Sequence, residues 1–597
     1  MKRIYQVLKI AHGLEPQMWL WLILSCLVNG FSPLVNIIIP KYVLDELLGS
    51  RRVTILLFLI AGLAVGNLLF STLKAMCNMK NTGIFTRIFY KINEKLTAKS
   101  VALSLEVSES KSNLDLLERG KYGLYNFYEL DQVLQRIGSA LISIVSVGLI
   151  IVLEDWRLLA VLLVTNLLTI PCMRKMQKLE VDNAERTVPE DREFRYYCGI
   201  ATDFRYSKDL KIFNGIDLML NRAEKNMDRI LKINHEYFTK NGFWSGFIAA
   251  IVEIQTVILF GILGFVLLLG RITVGTFTML YSACRQFGQS LNALLANSNQ
   301  IFTMSLLFEP LLEYLYLPTN ERQQYTVKSL ETVDRCLDLA LRGNLNWEFE
   351  DLTFHYPTDA KNIIEHCSFQ IRSDETIALV GRNGAGKSTL VKLLCRFYEQ
   401  QSGRILLNGV DIREIPLSEY YRILSPTFQD FQLLPFEIRE NVACKVSKSI
   451  NENIEKDILN AITRLGLFDW VQALPQGLAT FLSQNLTPDG VLPSGGQAQK
   501  IALARSLYQG GYFVIMDEPT AALDPRSEEE IFSQMLKLSK DKTCLFISHR
   551  LSSTRFADRI LVMDKGRIVE DGNHHDLISQ QGIYCEMYQV QAAQYNA

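Results

Sequence analysis

The sequence predicts a two-part membrane protein: an all-α transmembrane domain of six long helices, followed by an α/β domain organised around a phosphate-binding loop. Three observations lead there. Apolar runs long enough to cross a bilayer are confined to roughly the first 300 residues of 597. A glycine-rich stretch at 381–389 stands between an apolar strand pattern and a helical one. Hydrophobic residues make up 48% of the chain and charged ones 21%, which excludes a largely disordered polymer.

The six apolar segments lie at about 18–39, 53–73, 137–153, 158–172, 243–269 and 276–302. They pair across short connections, the third and fourth being separated only by Glu154-Asp155-Trp156-Arg157. Two long polar connections, 74–136 and 173–242, separate the pairs. Both are rich in Lys and Arg, which places them on the cytosolic side. Apolar spacing continues into them, as at Ile84, Ile88, Ile92 and Leu96, so the helices are expected to run on into the cytosol at about 1.5 Å per residue. The stretches 112–128 and 201–215 are the expected crosswise turns of those extensions. The segment 4–12 reads as an interfacial helix, and no cleavable signal peptide is expected.

Charge and composition narrow the function classes. Sixty-two basic residues balance 63 acidic ones, without the basic excess of a nucleic-acid binder. Eleven cysteines are scattered from Cys26 to Cys585 with no CxxC pair, which predicts reduced thiols rather than a metal site. The adjacent His574 and His575 read as solvated surface. Inside the spans, Glu253 and Gln255 in the fifth and Arg285, Gln286, Gln289 and Asn292 in the sixth are expensive in lipid. Glu253, Arg285 and Gln289 are therefore expected to line a pathway for a polar or amphipathic substrate. A Glu253–Arg285 pair between helices is the alternative reading.

After the sixth span, a polar stretch at 319–344 reads as linker, and an amphipathic strand pattern opens with Trp347, Phe349, Leu352 and Phe354. Gly381-Arg382-Asn383-Gly384-Ala385-Gly386-Lys387-Ser388-Thr389 fits G-x-x-x-x-G-K-[ST], with strand 377–380 before it and helix 389–397 after. Its glycines let the backbone curl so that N–H groups point at phosphate oxygens. Lys387 would neutralise the β- and γ-phosphates, and the Ser388 hydroxyl would ligate magnesium. Downstream, the apolar strand 512–516 ends in Asp517, placed to assist magnesium, and Glu518, placed to orient or deprotonate an attacking water.

With both motifs in place, the intervening residues resemble the ATP-binding cassette (ABC) family. Leu492-Pro493-Ser494-Gly495-Gly496-Gln497, followed by Gln499 and a helix, resembles that family's signature sequence. Tyr356 as the adenine-stacking aromatic, Gln429, Ala522-Leu523-Asp524 and Ser548-His549-Arg550 follow in the family's order. The resemblance covers about 345–588. With the six spans and their loop pattern, the whole chain resembles an ABC half-transporter of the exporter type: transmembrane domain 1–318, linker 319–344, and a nucleotide-binding domain with a helical subdomain at 345–597.

The resemblance implies ATP and Mg2+ as cofactors and a second half-transporter as partner, in a homodimer or heterodimer within a bacterial cell membrane. Tyr356, Gly381, Asn383, Gly384, Ala385, Gly386, Lys387, Ser388 and Thr389, with Asp524, would hold the nucleotide. Ser494, Gly495, Gly496 and Gln497 would touch the nucleotide held by the other chain. Ser388, Gln429 and Asp517 would serve the metal, and Glu518, His549 and Gln429 the hydrolysis. The cytosolic turns would dock on the cassette near Gln429. The cargo would be a small molecule, peptide or lipid. One departure stands out: Pro493 replaces the signature's usual leading leucine. A proline just before a helix removes no intrahelical donor, so it is either harmless or the mark of a heterodimer. An exporter-fold importer, or an ATP-gated channel or regulatory subunit, is the alternative function.

Overall fold

The computed structural model describes residues 2–318, 330–357, 359, 361–484, 487–518, 542–548, 551 and 553–595. They fall into two compact units, 1–101 with 112–317, and 102–111 with 318–597.

The first unit is all helix: α1 (Lys2–Leu14), α2 (Met18–Leu48) and α3 (Val53–Ala102). The short α4 (Leu105–Glu109) lies in the second unit. Then follow α5 (Lys111–Tyr125), α6 (Phe127–Leu167), α7 (Ile170–Thr202), α8 (Phe204–Ile212), α9 (Ile216–Leu268), α10 (Val274–Leu307) and α11 (Glu309–Leu315). In lipid a backbone has to satisfy its own hydrogen bonds, which is why the apolar segments are helical, the fourth being interrupted only at Leu168 and Thr169 between α6 and α7. With 50 and 53 residues, α3 and α9 are roughly 75–80 Å long, more than twice the hydrocarbon thickness. The predicted cytosolic extensions are therefore continuous with the apolar segments.

The helices α2, α6 and α10 pack together, and α7 lies along α9. Close approach of α2 and α6 depends on Gly138, where a Cβ would stand 2.3 Å from Cys26 Sγ. The loop before α10 is tied down by Thr273, whose hydroxyl accepts from Thr276 N–H at 3.0 Å. Gly275 N–H donates to Asp45 of α2 at 3.1 Å.

Among the described residues, four helical stretches are long and apolar enough to cross a membrane: Met18–Leu48, Val53–Ala102, Phe127–Thr202 and Ile216–Leu268. The count differs from the predicted six for two physical reasons. The loop predicted at 154–157 shrinks to a single non-helical residue, Asp155 (φ −157°, ψ 105°), whose carboxylate accepts from Arg157 N–H at 2.9 Å. The sixth segment is helical but too polar along its length to qualify.

Two other expectations are corrected. The first short turn element is α4, ahead of the predicted 112–128. Ser104 starts it by accepting from Val107 N–H at 3.4 Å. And 319–344 is not all linker: α12 (Leu330–Leu341) sends Val333, Cys336 and Ala340 into the core of the second unit.

That second unit contains two sheets. β1 (Trp347–Phe354), β2 (Ile364–Ile371), β4 (Ser402–Leu407) and β5 (Val410–Asp411) form an antiparallel sheet in the order β2-β1-β4-β5. β3 (Thr376–Val380), β6 (Leu424–Thr427), β7 (Phe513–Asp517), β8 (Thr543–Ile547), β9 (Arg559–Asp564) and β10 (Arg567–Gly572) form the other, in the order β10-β9-β3-β8-β7-β6. It is parallel except for the β9–β10 hairpin. Its central strands read as continuous apolar runs because both faces are buried. Helices α13 (Lys387–Leu394), α14 (Leu417–Ile423), α15 (Ile438–Ala443), α16 (Glu452–Arg464), α17 (Phe468–Gln472), α18 (Gly495–Gln509), α19 (His574–Ser579) and α20 (Ile583–Tyr595) complete the unit. Of these, α15 and α16 pack on α18 to give the helical part. His574 is not simply solvated, since its Nδ1 lies 2.7 Å from the Tyr584 hydroxyl.

Candidate functional site

The carboxyl ends of β3 and β7 place the site, as expected for ligands of parallel α/β sheets. β3 runs into the loop 381–386, and α13 begins at Lys387. Only glycine fits at 381: its φ is 152°, and a Cβ there would lie 2.1 Å from the Met563 carbonyl oxygen. Gly386, at φ 109°, turns the chain into α13. The loop thereby leaves the backbone N–H groups at the start of α13 aimed into an open depression of about 740 Å³. Asn383, Gly384, Ala385, Gly386, Lys387, Ser388 and Thr389 line it on one side, and Gln429 and Glu518 on the other.

Lys387 is 5% exposed, and its ammonium donates to the carbonyls of Gly381 at 2.9 Å and Arg382 at 3.2 Å. Burial lowers its pKa, while Glu518 and Asp517 act in the opposite direction. The Ser388 hydroxyl donates to Asp517 at 3.4 Å. Burial pushes the Asp517 carboxyl up to about 6, with the Ser388 hydrogen bond pulling the other way. These hard oxygen donors, side by side at the end of α13, fit Mg2+. Gln429 donates to Glu518 at 2.8 Å. Glu518 itself sits at φ 46°, a left-handed conformation that a non-glycine residue keeps only where its surroundings impose it. The tip of β7 thus presents two carboxylates in different settings, one buried against Ser388 and one facing the depression.

Tyr356 follows β1 and its hydroxyl lies 3.3 Å from Thr389 Oγ1. Its ring meets Tyr398 edge-on at 5.1 Å. Sequence reasoning missed Tyr398. Its hydroxyl donates to Glu109 of α4, 289 residues away, and no local pattern announces such a pair. Burial first, and then the Glu109 carboxylate, raise the Tyr398 pKa above the ordinary phenol range. Leu105 of α4 packs on the same core. α4 thus meets the cassette at Tyr398, and the neighbouring Phe397 stacks obliquely on Phe428, the neighbour of Gln429.

Ser494 caps α18. Its hydroxyl accepts from Gln497 N–H at 3.3 Å, and Gln497 Oε1 accepts from Ser494 N–H at 2.8 Å. Pro493 precedes the cap, where it disturbs no helical hydrogen bond. Ser494 and Gly495 are exposed and lie outside the lining of the Lys387 depression. His549 and Asp524 lie outside the described residues.

In the helical unit, Arg285 and Gln289 line a depression of about 520 Å³ between α2, α3 and α10. Glu253 does not join them, and no Glu253–Arg285 ion pair occurs among the described residues.

A domain of long apolar helices on the same chain as a phosphate-loop α/β cassette defines a class, the ATP-driven membrane transporters. Comparison with known proteins narrows it. Residues 364–521 match the family described as ABC transporter. The subtilin transport ATP-binding protein SpaT of Bacillus subtilis is 29% identical over 98% of this chain and 94% of its own length. The ATP-dependent lipid A-core flippase of Pectobacterium atrosepticum is 27% identical, covering 95% of this chain and 94% of that one. The structure of a bacterial Atm1-family ABC exporter with ATP bound shares the fold with a TM-score of 0.79 at 22% identity, over 97% of this chain and 99% of that one. Residues 364–521 thus carry the ATP-binding part of the ABC transporter family, and nearly the whole chain is similar to the two transport proteins named. The chain is a multi-pass integral membrane protein whose ATPase domain is cytosolic and uses ATP and Mg2+.

Proposed function

We propose that the chain is one half of a dimeric exporter for an amphipathic substrate, a lipid, peptide or drug-like molecule, and that it spans the membrane six times. The break at Asp155 divides α6 into two spans, and α10 supplies the sixth. The relatives named for subtilin and for lipid A-core support a substrate of this kind. The observation that carries the ATPase part is the convergence of Lys387, Ser388, Asp517, Gln429 and Glu518 beyond the carboxyl ends of the parallel strands β3, β7 and β6.

Each residue then has a task. The loop N–H groups and Lys387 bind phosphate oxygens, and Tyr356 stacks on the base. Bound Mg2+ supplies charge neutralisation at the β- and γ-phosphates. Glu518, held by Gln429, orients the attacking water and accepts its proton. Ser494 and the amides starting α18 meet the phosphates held by a second chain, a role that the exposed, capped helix end supports. Asp524 and His549 complete the set. Nucleotide drives the cycle because it binds the closed pair more tightly than the open one. With its capping box complete, the Pro493 signature favours a homodimer. Vigorous, cooperative ATP hydrolysis by the purified chain alone is the expected result, and hydrolysis that appears only with a second kind of subunit would establish the heterodimer. Inside-out vesicles that accumulate labelled substrate on adding ATP would support export, whereas ATP-dependent loss would establish import.

Two further predictions arise here. Asp517 must shed its proton to assist a cation, and its raised pKa places that event near pH 6. Between pH 7.5 and 5.5 its ionised fraction falls about fourfold. The Mg2+ concentration for half-maximal hydrolysis should rise by about that factor, after correction for the nucleotide's own titration; a pH-independent value would remove Asp517 from the metal's surroundings. By linkage, the desolvation penalty on the fold is absent below the ordinary carboxylate pKa and fully present above about pH 6, until a cation relieves it. Second, Tyr398→Phe removes only the hydroxyl that joins α4 to the cassette. The amount transported per ATP hydrolysed should fall about threefold to tenfold, the worth of one partly exposed charge-assisted hydrogen bond. An unchanged ratio would show that coupling does not pass through this contact.

A further inference from the structure

The two helices after β10, α19 and α20, take no part in the chemistry derived above, yet they are built into the nucleotide-binding sheet. Glu570 of β10 accepts from the N–H groups of Ile583 and Tyr584, the first two residues of α20. A carboxylate there satisfies amides that a helix start leaves open. Gly582 is needed just before them, since a Cβ would lie 2.2 Å from Glu570 Oε1. From that anchor α20 packs Ile583, Tyr584, Met587 and Tyr588 on the core of the parallel sheet.

The helix then reaches two loops of the site. Glu586 accepts from Arg382 of the phosphate loop at 3.0 Å, and Gln591 Oε1 accepts from Leu551 N–H, beyond β8, at 2.8 Å. The two loops face one depression of about 550 Å³, lined by Arg382 and Asn383, by Ser548 and Leu551, and by Glu586 and Gln591 of α20. The Leu551 carbonyl is held as well. Thr554 Oγ1 donates to it at 2.6 Å, which spends the one hydroxyl proton a threonine has. Thr554 therefore accepts from the Tyr584 hydroxyl at 2.7 Å, and Tyr584 in turn accepts from His574 Nδ1–H of α19 at 2.7 Å. Thr554 and Tyr584 are buried, where an unpartnered hydroxyl is expensive, so this order of donors is fixed. Both backbone groups of Leu551 are thus tied to the helices after β10.

We propose that Tyr584 and Gln591 are positioning residues for ATP hydrolysis: by fixing Leu551 they hold the segment after β8 in register with the phosphate loop. Neither lines the Lys387 depression, so both act through another residue. His549 stands between Ser548 and Leu551 in the chain, and the inference rests on the task given to His549 above. The Arg382–Glu586 pair is exposed, and such pairs contribute little energy. The positioning therefore falls to the buried hydroxyls and to Gln591.

The test uses the full chain in nanodiscs, with kcat from steady-state hydrolysis at saturating ATP and Mg2+, and ATP affinity from calorimetry without Mg2+. Tyr584→Phe removes the hydroxyl and keeps the ring, and Gln591→Met removes the acceptor and keeps the length. Each should lower kcat about threefold to tenfold, the worth of one hydrogen bond, and leave ATP affinity within about twofold. Gln591→Glu, which retains an acceptor oxygen, should recover most of kcat. In a Thr554→Val background Tyr584→Phe should cost nothing further, because the path to Leu551 is already cut. An unchanged kcat in both variants would overturn the inference. So would equal losses of kcat and affinity, the mark of a general loosening of the domain, or full additivity of Thr554→Val and Tyr584→Phe. Should Tyr584→Phe not fold, the two Gln591 variants, at a half-buried position, still decide. His549→Ala is measured beside them. Its inactivity together with an unchanged kcat in the Tyr584 and Gln591 variants defeats this inference alone, whereas wild-type turnover by His549→Ala defeats the reading beneath it as well.

Discussion

Glu518→Gln is expected to lower ATP turnover by about 10²- to 10⁴-fold while leaving ATP binding intact, the usual worth of a positioned general base. The substitution keeps the shape of the side chain and still offers an oxygen to the Gln429 amide, which now donates at 2.8 Å. What it removes is the ability to accept a proton from water. Because hydrolysis is what lets the pair part, the variant should hold ATP in a closed dimer. Single-turnover hydrolysis and retention of labelled ATP through a desalting column measure the two effects together. Undiminished turnover would reject the assigned role, and lost binding would mean that Glu518 shapes the pocket instead.

Lys387→Ala should act earlier, on binding itself. The ammonium is almost fully buried and is held over the mouth of the loop by the Gly381 and Arg382 carbonyls. Its burial is tolerable because the neighbouring Asp517 and Glu518 favour the charged form. Removing it takes away a charge-assisted contact worth about 1.5–3 kcal/mol, so ATP affinity should fall roughly tenfold to 150-fold, and hydrolysis with it. Lys387→Met, which keeps the apolar stem, separates lost charge from lost packing. Calorimetric titration with ATP reads both. If either variant bound ATP as tightly as the wild type, the phosphates would have to lie elsewhere.

The two variants also show why this site could be approached from sequence. The residues from Gly381 to Thr389 are consecutive, and the chemistry of holding phosphate on a loop dictates nearly every one of them. The apolar run of β7 likewise announces a buried strand whose end must face solvent, so Asp517 and Glu518 could be placed at its tip. Ser494 and Gln497 sit three apart, the spacing of a helix cap, and they form one.

Elsewhere the sequence was silent for physical reasons. The Tyr398–Glu109 contact joins residues with no local relation, and only the folded chain brings them together. The α12 helix was hidden because its apolar positions Val333, Cys336 and Ala340 are separated by charges, so the segment averages out as polar. The turn at Asp155 is one residue long, shorter than four flanking polar letters suggest. In the membrane unit, the polar residues of the spans predict one face that gathers Glu253, Arg285 and Gln289. The structure keeps Glu253 apart and sets Lys74, which belongs to the neighbouring polar connection by composition, beside the other two.

The central claim is that ATP draws two copies of the cassette together, and the chain carries a native probe for it. Nine of the eleven cysteines are buried and Cys198 is half-buried, leaving Cys444 as the exposed one. A spin label there, in the Glu518→Gln background with Cys198→Ser, reports the distance between two cassettes by pulsed electron resonance. The account predicts that the Cys444–Cys444 distance shortens and its distribution narrows when ATP and Mg2+ are added. A distance indifferent to nucleotide, or no dipolar signal between chains at all, would contradict it.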